Sequence, residues 1–187
     1  KYVELGEAAR VAVRSSATAE DLPDASFAGQ QETYLNVQGI EDVLIYIRHC
    51  YASLWGDRAV SYRFNQGYNQ SSVAIAVVIQ EMVESEKAGV LFTVNPVTQN
   101  KDEIQINASY GLGESVVSGR VTADSYIVNK SGDILEVTIG TKETQIVYAD
   151  KNTKEESVSE AKRTAQALND AEIAALVSAA LKIEKHY

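Results

Sequence analysis

The sequence predicts an α+β fold, with an α/β arrangement as the alternative. Short runs rich in valine and isoleucine, typical of strands, alternate with segments whose apolar residues recur at helical spacing. Glycine-containing turns separate several of these segments. With 187 residues, 45% of them hydrophobic, the chain is long enough to bury a core as one domain or as two closely packed lobes.

The first part of the chain contains two predicted strands and two predicted helices. A strand near residues 10–15 precedes a loop of small and hydroxylic residues, and a second strand covers 33–37. The next segment is helical because its apolar residues recur every three to four positions, at Val43, Leu44, Ile47, Tyr51 and Leu54. After a glycine break, a further helix covers 58–65 and ends at Gly67.

The middle of the chain predicts a central pair of strands. Residues 73–83 are too continuously apolar for a half-exposed strand, so we expect a buried central strand paired with 89–94 across a turn. Alternation predicts a strand at 103–108, and a short helix follows at 113–117. A smaller meander is predicted from three further strands, at 125–128, 134–138 and 144–147.

The last part of the chain is predicted to end in a helix. Residues 150–160 form a charged connection with few large apolar side chains. Asn169, followed three positions later by Glu172, fits a capping box at a helix start. The helix carries an apolar stripe and should therefore pack on a sheet. The stripe consists of Ile173, Leu176, Val177, Ala180 and Leu181.

Charge and cysteine content narrow the possible functions. The chain has 26 acidic and 17 basic residues and a net charge of −9, so we expect neither nucleic acid nor a membrane as a partner. Cys50 is the single cysteine of the sequence, and its place in an apolar helix predicts core packing. This usage, and the lack of an apolar run near the roughly 20 residues of a membrane span, fit a cytoplasmic protein. His49 and His186 lack partners at metal-ligand spacing, and we assign no catalytic residue.

The first strand and the loop after it form a candidate phosphate site. Arg14 offers a fork of hydrogen-bond donors to phosphate oxygens. Neutral side chains and main-chain groups nearby can add contacts, from Ser15, Ser16, Thr18, Ser26, Gly29 and Gln30. The pattern matches neither the P-loop nor the dinucleotide fingerprint, so an ordinary polar surface loop is the alternative.

The end of the apolar run, from Gln80 to Val83, forms a candidate adenine hinge. Main-chain N–H and C=O groups of Glu81 and Val83 can pair with the adenine edge, while Met82 gives an apolar contact to the ring. Spacing alone favours the alternative, in which Met82 and Val83 are core residues. A glycine-rich element at 111–114 could present a helix N-terminus to an anion or simply permit a tight strand-to-helix turn.

Five blocks of sequence carry a family resemblance, at 11–36, 52–63, 77–83, 89–96 and 108–119. Through them the chain resembles the N-terminal nucleotide-binding domain of the phosphoenolpyruvate synthase (pyruvate, water dikinase) family. Pyruvate phosphate dikinase and rifampicin phosphotransferase share this domain. The resemblance implies an ATP-grasp-like fold in which the hinge links two lobes. It also implies three segments: a phosphate-loop lobe (1–72), the hinge and central sheet (73–150), and a C-terminal helical segment (151–187).

The resemblance further implies ATP as the ligand and a dikinase or phosphotransferase as the parent enzyme. In that enzyme ATP would phosphorylate a histidine on a mobile domain, which then phosphorylates pyruvate and yields phosphoenolpyruvate, AMP and phosphate. The phosphohistidine and pyruvate-binding domains would be the partners of this chain. The acceptor could instead be an antibiotic, or pyruvate together with phosphate. A non-catalytic nucleotide-binding or interaction module is the alternative outside this class.

The family pattern extends beyond this sequence at both ends. A Gly-Gly-Lys-Gly type segment is not found at residues 1–7, and the strands that bind magnesium and phosphate would follow residue 187. We therefore expect an ATP-binding domain that is incomplete at both ends. Its Mg²⁺ ligands would lie outside the chain, and the isolated chain would be inactive.

Overall fold

A computed structural model describes residues 9–18, 21–22, 25–26, 32–71, 73–150 and 152–187. Helices and several separate sheets make up a mixed α and β architecture. The chain divides into two compact units: unit 1 comprises 1–83 and 148–153, and unit 2 comprises 84–147 and 154–187. None of the helices in the described ranges combines the length and the apolar character of a membrane span.

Unit 1 contains a three-stranded antiparallel sheet and two helices. In chain order its elements are Val11–Ala17 (β1), Asp21–Leu22 (β2), Ala25–Ser26 (β3), Thr33–Val37 (β4), helices Ile40–Ser53 (α1) and Asp57–Asn65 (α2), and Ile75–Glu81 (β5). Strand β1 is the middle strand and pairs with β4 on one side and β5 on the other, while β2 and β3 pair with each other. The predicted strand at 33–37 and both predicted helices are therefore confirmed.

One face of the unit 1 sheet packs against α1. Val11 and Val13 of β1 form a buried cluster with Val37, Val43 and Cys50. Burial, together with the nearby Glu32 carboxylate, raises the pKa of the Cys50 thiol. Because both effects disfavour the thiolate, Cys50 is a core residue rather than a nucleophile, as its sequence position predicted.

A bulge in β4 places Asn36 inside unit 1. Between the pairs Val11–Val37 and Val13–Tyr34, two steps along β1 match three along β4. Asn36 has a φ of 57°, a left-handed conformation that asparagine tolerates better than most residues. Its buried Nδ2 donates to the main-chain oxygens of Ala149 at 3.0 Å and Asn152 at 2.6 Å. Asn36 therefore anchors the segment 148–153 within unit 1.

Unit 2 contains a four-stranded antiparallel sheet whose strands follow one another in sequence order. Its elements are Lys87–Phe92 (β6), Glu103–Tyr110 (β7), the short helix Glu114–Val117 (α3), Asp124–Asn129 (β8), Ile134–Thr138 (β9), and helices Glu160–Arg163 (α4) and Asp170–His186 (α5). The predicted short helix near 113–117 and the predicted C-terminal helix are both confirmed.

Helix α5 covers one face of the unit 2 sheet, as its apolar stripe predicted. Ile173 and Val177 are buried in one cluster with Ile104 and Ile106 of β7. The predicted capping box is present: Glu172 N–H donates to Asn169 Oδ1 at 2.9 Å, and Asn169 N–H donates to Glu172 Oε2 at 2.8 Å. Hydrogen bonds from the Lys87 ammonium and from the Asn169 N–H lower the pKa of the Glu172 carboxyl.

A fully buried ion pair, Lys142–Asp124, lies at the centre of a hydrogen-bond network in unit 2. Asp124 also accepts from the main-chain N–H groups of Gly140 at 2.8 Å and Ala167 at 2.6 Å, and from Tyr126 Oη at 3.2 Å. The network joins the start of β8 to the turn before α5. Every partner of this carboxylate is a donor, which is how a buried charge is accommodated.

The pairing predicted for the apolar run was wrong. Strand β5 pairs with β1 at the edge of the unit 1 sheet, whereas β6 pairs with β7 in unit 2. The run 73–83 is therefore not a central buried strand, and Val78 is 47% exposed and Val83 75% exposed. The apolar composition reflects one face that packs on α1 through Val77 and a second face that stays open.

The predicted meander was also partly wrong. Strands β8 and β9 pair, but Thr144–Tyr148 (β10) pairs instead with Thr153–Ser157 (β11). Strand β11 lies within the charged segment 150–160, which the sequence indicated only as a connection. Its charged side chains are exposed at Lys154 and Glu155, so the segment lacks the apolar alternation that marks a strand. The two compact units also have other boundaries than the three predicted segments, which stay a prediction.

Candidate functional site

Arg14 and Gln80 meet on the face of the unit 1 sheet opposite α1. Side chains alternate along a strand, and Val13 points to the α1 core, so Arg14 and Ser16 project from the other face. Arg14 is opposite Val78 in the register, which makes Gln80 its diagonal neighbour. Arg14 Nη1 donates to Gln80 Oε1 at 3.1 Å. The structure thus joins one residue of the predicted phosphate loop with one of the predicted hinge.

Ser15 and Thr18 are held by main-chain partners of their own. Ser15 Oγ donates to the Glu32 oxygen at 3.0 Å, and Ser15 lies on the α1 side of the strand. Thr18 Oγ1 donates to the Ala74 oxygen at 3.2 Å and accepts from the Ala74 N–H at 3.1 Å. These two hydroxyls secure the ends of strand pairings, so they are not grouped with Arg14.

The prediction for the phosphate loop also included Ser16, Gly29 and Gln30. Ser16 is exposed and shares the Arg14 face, opposite Ala76 in the register. Gly29 and Gln30, both predicted to line the loop, lie outside the described residues. Of the described residues predicted for the phosphate site, Arg14 and Ser16 share one face, and Gln80 of the predicted hinge joins them there.

The predicted hinge lies along the outer edge of β5. Met82 N–H donates to the Arg10 oxygen at 2.9 Å, and Thr18 N–H donates to the Ala74 oxygen at 2.9 Å. Even-numbered residues of β5 therefore direct their main-chain groups toward β1. Since these directions alternate in an antiparallel strand, the main-chain groups of Glu81 point away from β1. Val83 lies beyond the end of β5, and the same alternation, continued past the Met82 bond to Arg10, gives this direction for the Val83 N–H. Main-chain groups that point away from the neighbouring strand can form hydrogen bonds with the edge of a base.

Tyr148 contacts the hinge, and sequence reasoning did not identify it. Tyr148 Oη donates to the Val83 oxygen at 2.9 Å, and the Arg10 guanidinium lies 4.7 Å from the centroid of the Tyr148 ring. Both contacts lie within unit 1. Tyr148 is 65 residues from Val83 in sequence, and no local pattern connects the two. The one available signal was β11: recognising it as a strand would have indicated that β10 and β11 form a hairpin and that the chain reverses direction just after Tyr148.

The described residues do not provide a metal site. Across the ranges that the structure describes, no group of three or more His, Cys, Asp or Glu side chains could hold an ion. The His49 ring lies 5.8 Å from the Tyr34 ring and 5.7 Å from the Tyr46 ring, which is a packing role. The residues within the described ranges thus do not fit an Mg²⁺ site.

The glycine element at 111–114 has a structural explanation. Gly111 has a φ of 78°, and a Cβ atom at this position would lie 2.4 Å from the Ile146 oxygen. Only glycine allows this conformation and this close approach of two main chains without strain. The helix that follows, α3, has four residues. The tight-turn interpretation is therefore sufficient.

Comparison with known proteins identifies the family. A sequence profile described as "Pyruvate phosphate dikinase, AMP/ATP-binding domain" matches residues 2–187. The chain belongs to this family. The resemblance predicted from the five sequence blocks is thereby confirmed, and so is a nucleotide-binding domain as the general class.

Members of the family with high identity are several times longer than this chain. A protein of Methanocaldococcus jannaschii named "Probable phosphoenolpyruvate synthase" is 53% identical over 95% of the chain, which covers 15% of that relative. Phosphoenolpyruvate synthase of Pyrococcus furiosus is 51% identical over 95% of the chain and 23% of its own length. Rifampicin phosphotransferase of Bacillus subtilis is 45% identical over 98% of the chain and 21% of its own length.

Proposed function

We propose that this chain is the ATP-binding part of a phosphoenolpyruvate synthase-like phosphotransferase with an ATP-grasp-like architecture. The observation that carries the proposal is the contact between Arg14 and Gln80 on an open sheet face, beside the edge of β5 that pairs with no other strand of the described residues. The phosphate end of a nucleotide requires an exposed cation. The base end requires main-chain groups that are not already bonded to β1. Family membership supports ATP as the nucleotide.

The phosphate end of ATP is assigned to Arg14 and its surroundings. The guanidinium presents several donors, and the bond to Gln80 uses Nη1 at 3.1 Å. The planar fork is suited to two phosphate oxygens at once. Ser16 extends the donor set on the same face. Gly29 and Gln30 are proposed to complete the loop, while Ser15 and Thr18 support its ends through their main-chain partners.

The adenine end is assigned to the edge from Gln80 to Val83. The adenine edge offers a donor, the N6 amino group, and an acceptor, N1. The Glu81 oxygen can accept from N6, and the Val83 N–H can donate to N1, because both main-chain groups point away from β1. The Val83 oxygen already accepts from Tyr148, so of the two predicted carbonyls that of Glu81 is the one assigned to adenine.

The chemistry of the whole protein follows from the longer relatives as a proposal. Relatives named phosphoenolpyruvate synthase favour pyruvate as the acceptor. From the family resemblance we further propose transfer through a histidine on another domain, with Mg²⁺ ligands elsewhere in the protein. An antibiotic acceptor is the second candidate, since a rifampicin phosphotransferase is 45% identical. We place the protein in the cytoplasm because its one cysteine is buried and unpaired.

Calorimetric titration of the chain with ATP and a nonhydrolysable analogue, with and without Mg²⁺, tests the proposal. Removal of a charge-assisted contact is worth about 1.5–3 kcal/mol, so Arg14→Ala should weaken ATP binding roughly 10- to 100-fold. Arg14→Lys is the matched control and should recover part of the loss. Equal affinities of the wild-type chain and Arg14→Ala would contradict the site, and in the complete enzyme the same variant should lose ATP-dependent histidine phosphorylation.

A further inference from the structure

We propose that Tyr148 is a specificity-determining residue, whose hydroxyl occupies the Val83 carbonyl and thereby excludes 6-oxopurine nucleotides from the adenine hinge. This inference rests on the proposed function, because it concerns the same site. It assigns a role to a residue outside the hinge segment and predicts which bases are rejected.

The contact that carries the inference is direct and involves a main-chain atom. Tyr148 Oη lies 2.9 Å from the Val83 oxygen, which is a normal hydrogen-bond distance. Strand β5 ends at Glu81, so Val83 lies beyond the part of the strand that β1 holds in register. The phenol is therefore a side-chain partner that fixes the last carbonyl of the hinge.

The effect on specificity follows from the order of donors and acceptors along the edge. Away from β1, the hinge presents the Glu81 oxygen and then the Val83 N–H, which matches the N6 donor and N1 acceptor of adenine. Guanine and hypoxanthine present the reverse pair, the O6 acceptor and the N1–H donor. These bases would need a donor for O6 and then an acceptor for N1–H. The N–H of Val83 could be the donor, and the oxygen of Val83 could be the acceptor if it were available.

Tyr148 disfavours this second way of pairing a base with Val83. Its hydroxyl uses hydrogen-bonding capacity of the Val83 oxygen and occupies space beside it, so a 6-oxopurine would leave its N1–H without a good acceptor. A set of donors and acceptors that pairs with one base edge and leaves the other without a partner discriminates between substrates of similar shape. Tyr148 thus lowers the affinity for the wrong base and does not raise the affinity for adenine.

The position of Tyr148 is itself fixed from two sides. The Arg10 guanidinium lies 4.7 Å from the ring centroid, and the Arg10 oxygen accepts from Met82 in the hinge. Asn36 holds the next turn through Ala149 and Asn152 at 3.0 and 2.6 Å. A hydroxyl that is positioned before the ligand arrives does not have to be ordered by it. These anchors distinguish Tyr148 from a surface tyrosine that meets a carbonyl by chance.

The test compares ATP with ITP, because inosine carries the 6-oxo edge without the additional amino group of guanine. Dissociation constants of both nucleotides are measured by titration for the wild-type chain and for Tyr148→Phe, which removes one oxygen atom. We expect the preference for ATP over ITP to fall about tenfold in Tyr148→Phe, the effect of one hydrogen bond gained by the wrong base. Most of this change should come from tighter ITP binding.

Tyr110→Phe is the matched control. Tyr110 Oη also donates to a main-chain oxygen, that of Gln166 at 3.3 Å, but this contact lies in unit 2. The ATP to ITP preference should be unchanged in this variant. Should Tyr148→Phe fail to fold, Arg10→Leu removes the cation beside the ring, keeps the hydroxyl, and should lower the preference in the same direction by a smaller factor.

The outcomes separate the two proposals. If the wild-type chain binds ATP and Tyr148→Phe keeps the same ATP to ITP ratio, the role of Tyr148 is overturned while the ATP site stands. A parallel loss of affinity for both nucleotides also overturns it, because a merely structural residue would weaken both alike. If the wild-type chain binds neither nucleotide, the proposed site fails and the inference fails with it.

Discussion

Arg14 in unit 1 and the Lys142–Asp124 pair in unit 2 differ in how their charges are partnered. In unit 1, Arg14 is exposed and has a neutral partner, Gln80, at 3.1 Å. In unit 2, Lys142 and Asp124 are fully buried and bonded to each other. An exposed cation with a neutral partner keeps its charge available for a ligand, whereas a buried ion pair has its charge neutralised by the fold. Of the two, the Arg14 region is therefore the one that we propose as a binding site.

The largest effect that would sharpen this contrast is the loss of the buried lysine. Lys142→Met leaves the Asp124 carboxylate buried without its counter-charge, so the free energy of unfolding should fall by about 3–5 kcal/mol. Urea denaturation measures the change. Arg14→Ala is the control, and because Arg14 is exposed its unfolding free energy should change by no more than about 0.5 kcal/mol.

A double variant tests whether the pair acts as a unit. Asp124→Asn combined with Lys142→Met removes both charges, so the combined loss should be smaller than the sum of the two single losses. Additive losses, or a loss below about 1 kcal/mol for Lys142→Met, would show that the buried pair is not the main stabilising element of this network.

The second effect in size concerns alkaline pH, through Tyr126 of the same network. Burial raises the pKa of Tyr126 to about 12, above its ordinary value of 10.0. The folded state thus binds this proton more tightly than the unfolded state. The resulting stability is present below pH 10 and is lost as the pH rises toward 12, by up to about 1.4 kcal/mol per pH unit.

Tyr126→Phe isolates this contribution. Unfolding free energies of both proteins are measured by urea denaturation between pH 9 and pH 11. The wild-type chain should lose stability more steeply than the variant, because the other tyrosines titrate in both. Parallel pH dependences would mean that Tyr126 ionises as easily in the folded chain as in the unfolded one.

The sequence was most informative where structure depends on neighbouring residues. The capping box at Asn169 and Glu172 is set within four residues, and the end of β4 follows from the Gln38-Gly39 turn signal directly after it. The partner of β5 depends instead on contacts between distant segments, and an apolar run alone does not distinguish an edge strand from a central one. Tyr148 was missed for the same reason, because β10 and β11 join around a charged segment.

In the candidate site, too, local features were predictable and contacts between distant segments were not. Arg14 was selected because its guanidinium lies between a short apolar strand and a small-residue loop, and its role as a phosphate ligand stays a prediction. That Ser15 and Thr18 would be held by Glu32 and Ala74 depends on strand alternation and register, which the sequence predicted only approximately. The contact between Arg14 and Gln80 depends on β1 pairing with β5, the pairing that sequence reasoning did not find.

The smallest predicted effect tests why the partner of Arg14 is neutral. Gln80→Ala removes one exposed hydrogen bond to the guanidinium, so ATP affinity should fall only about two- to threefold. Gln80→Glu keeps the shape but places a carboxylate beside Arg14, where it would neutralise the cation and repel phosphate, so its loss should be larger. Titration with ATP at two salt concentrations distinguishes these causes, since repulsion from an exposed charge weakens as salt is added. If Gln80→Glu binds as well as Gln80→Ala at low salt, the Arg14 charge is not directed at phosphate, and the contrast between Arg14 and the buried pair has no bearing on binding.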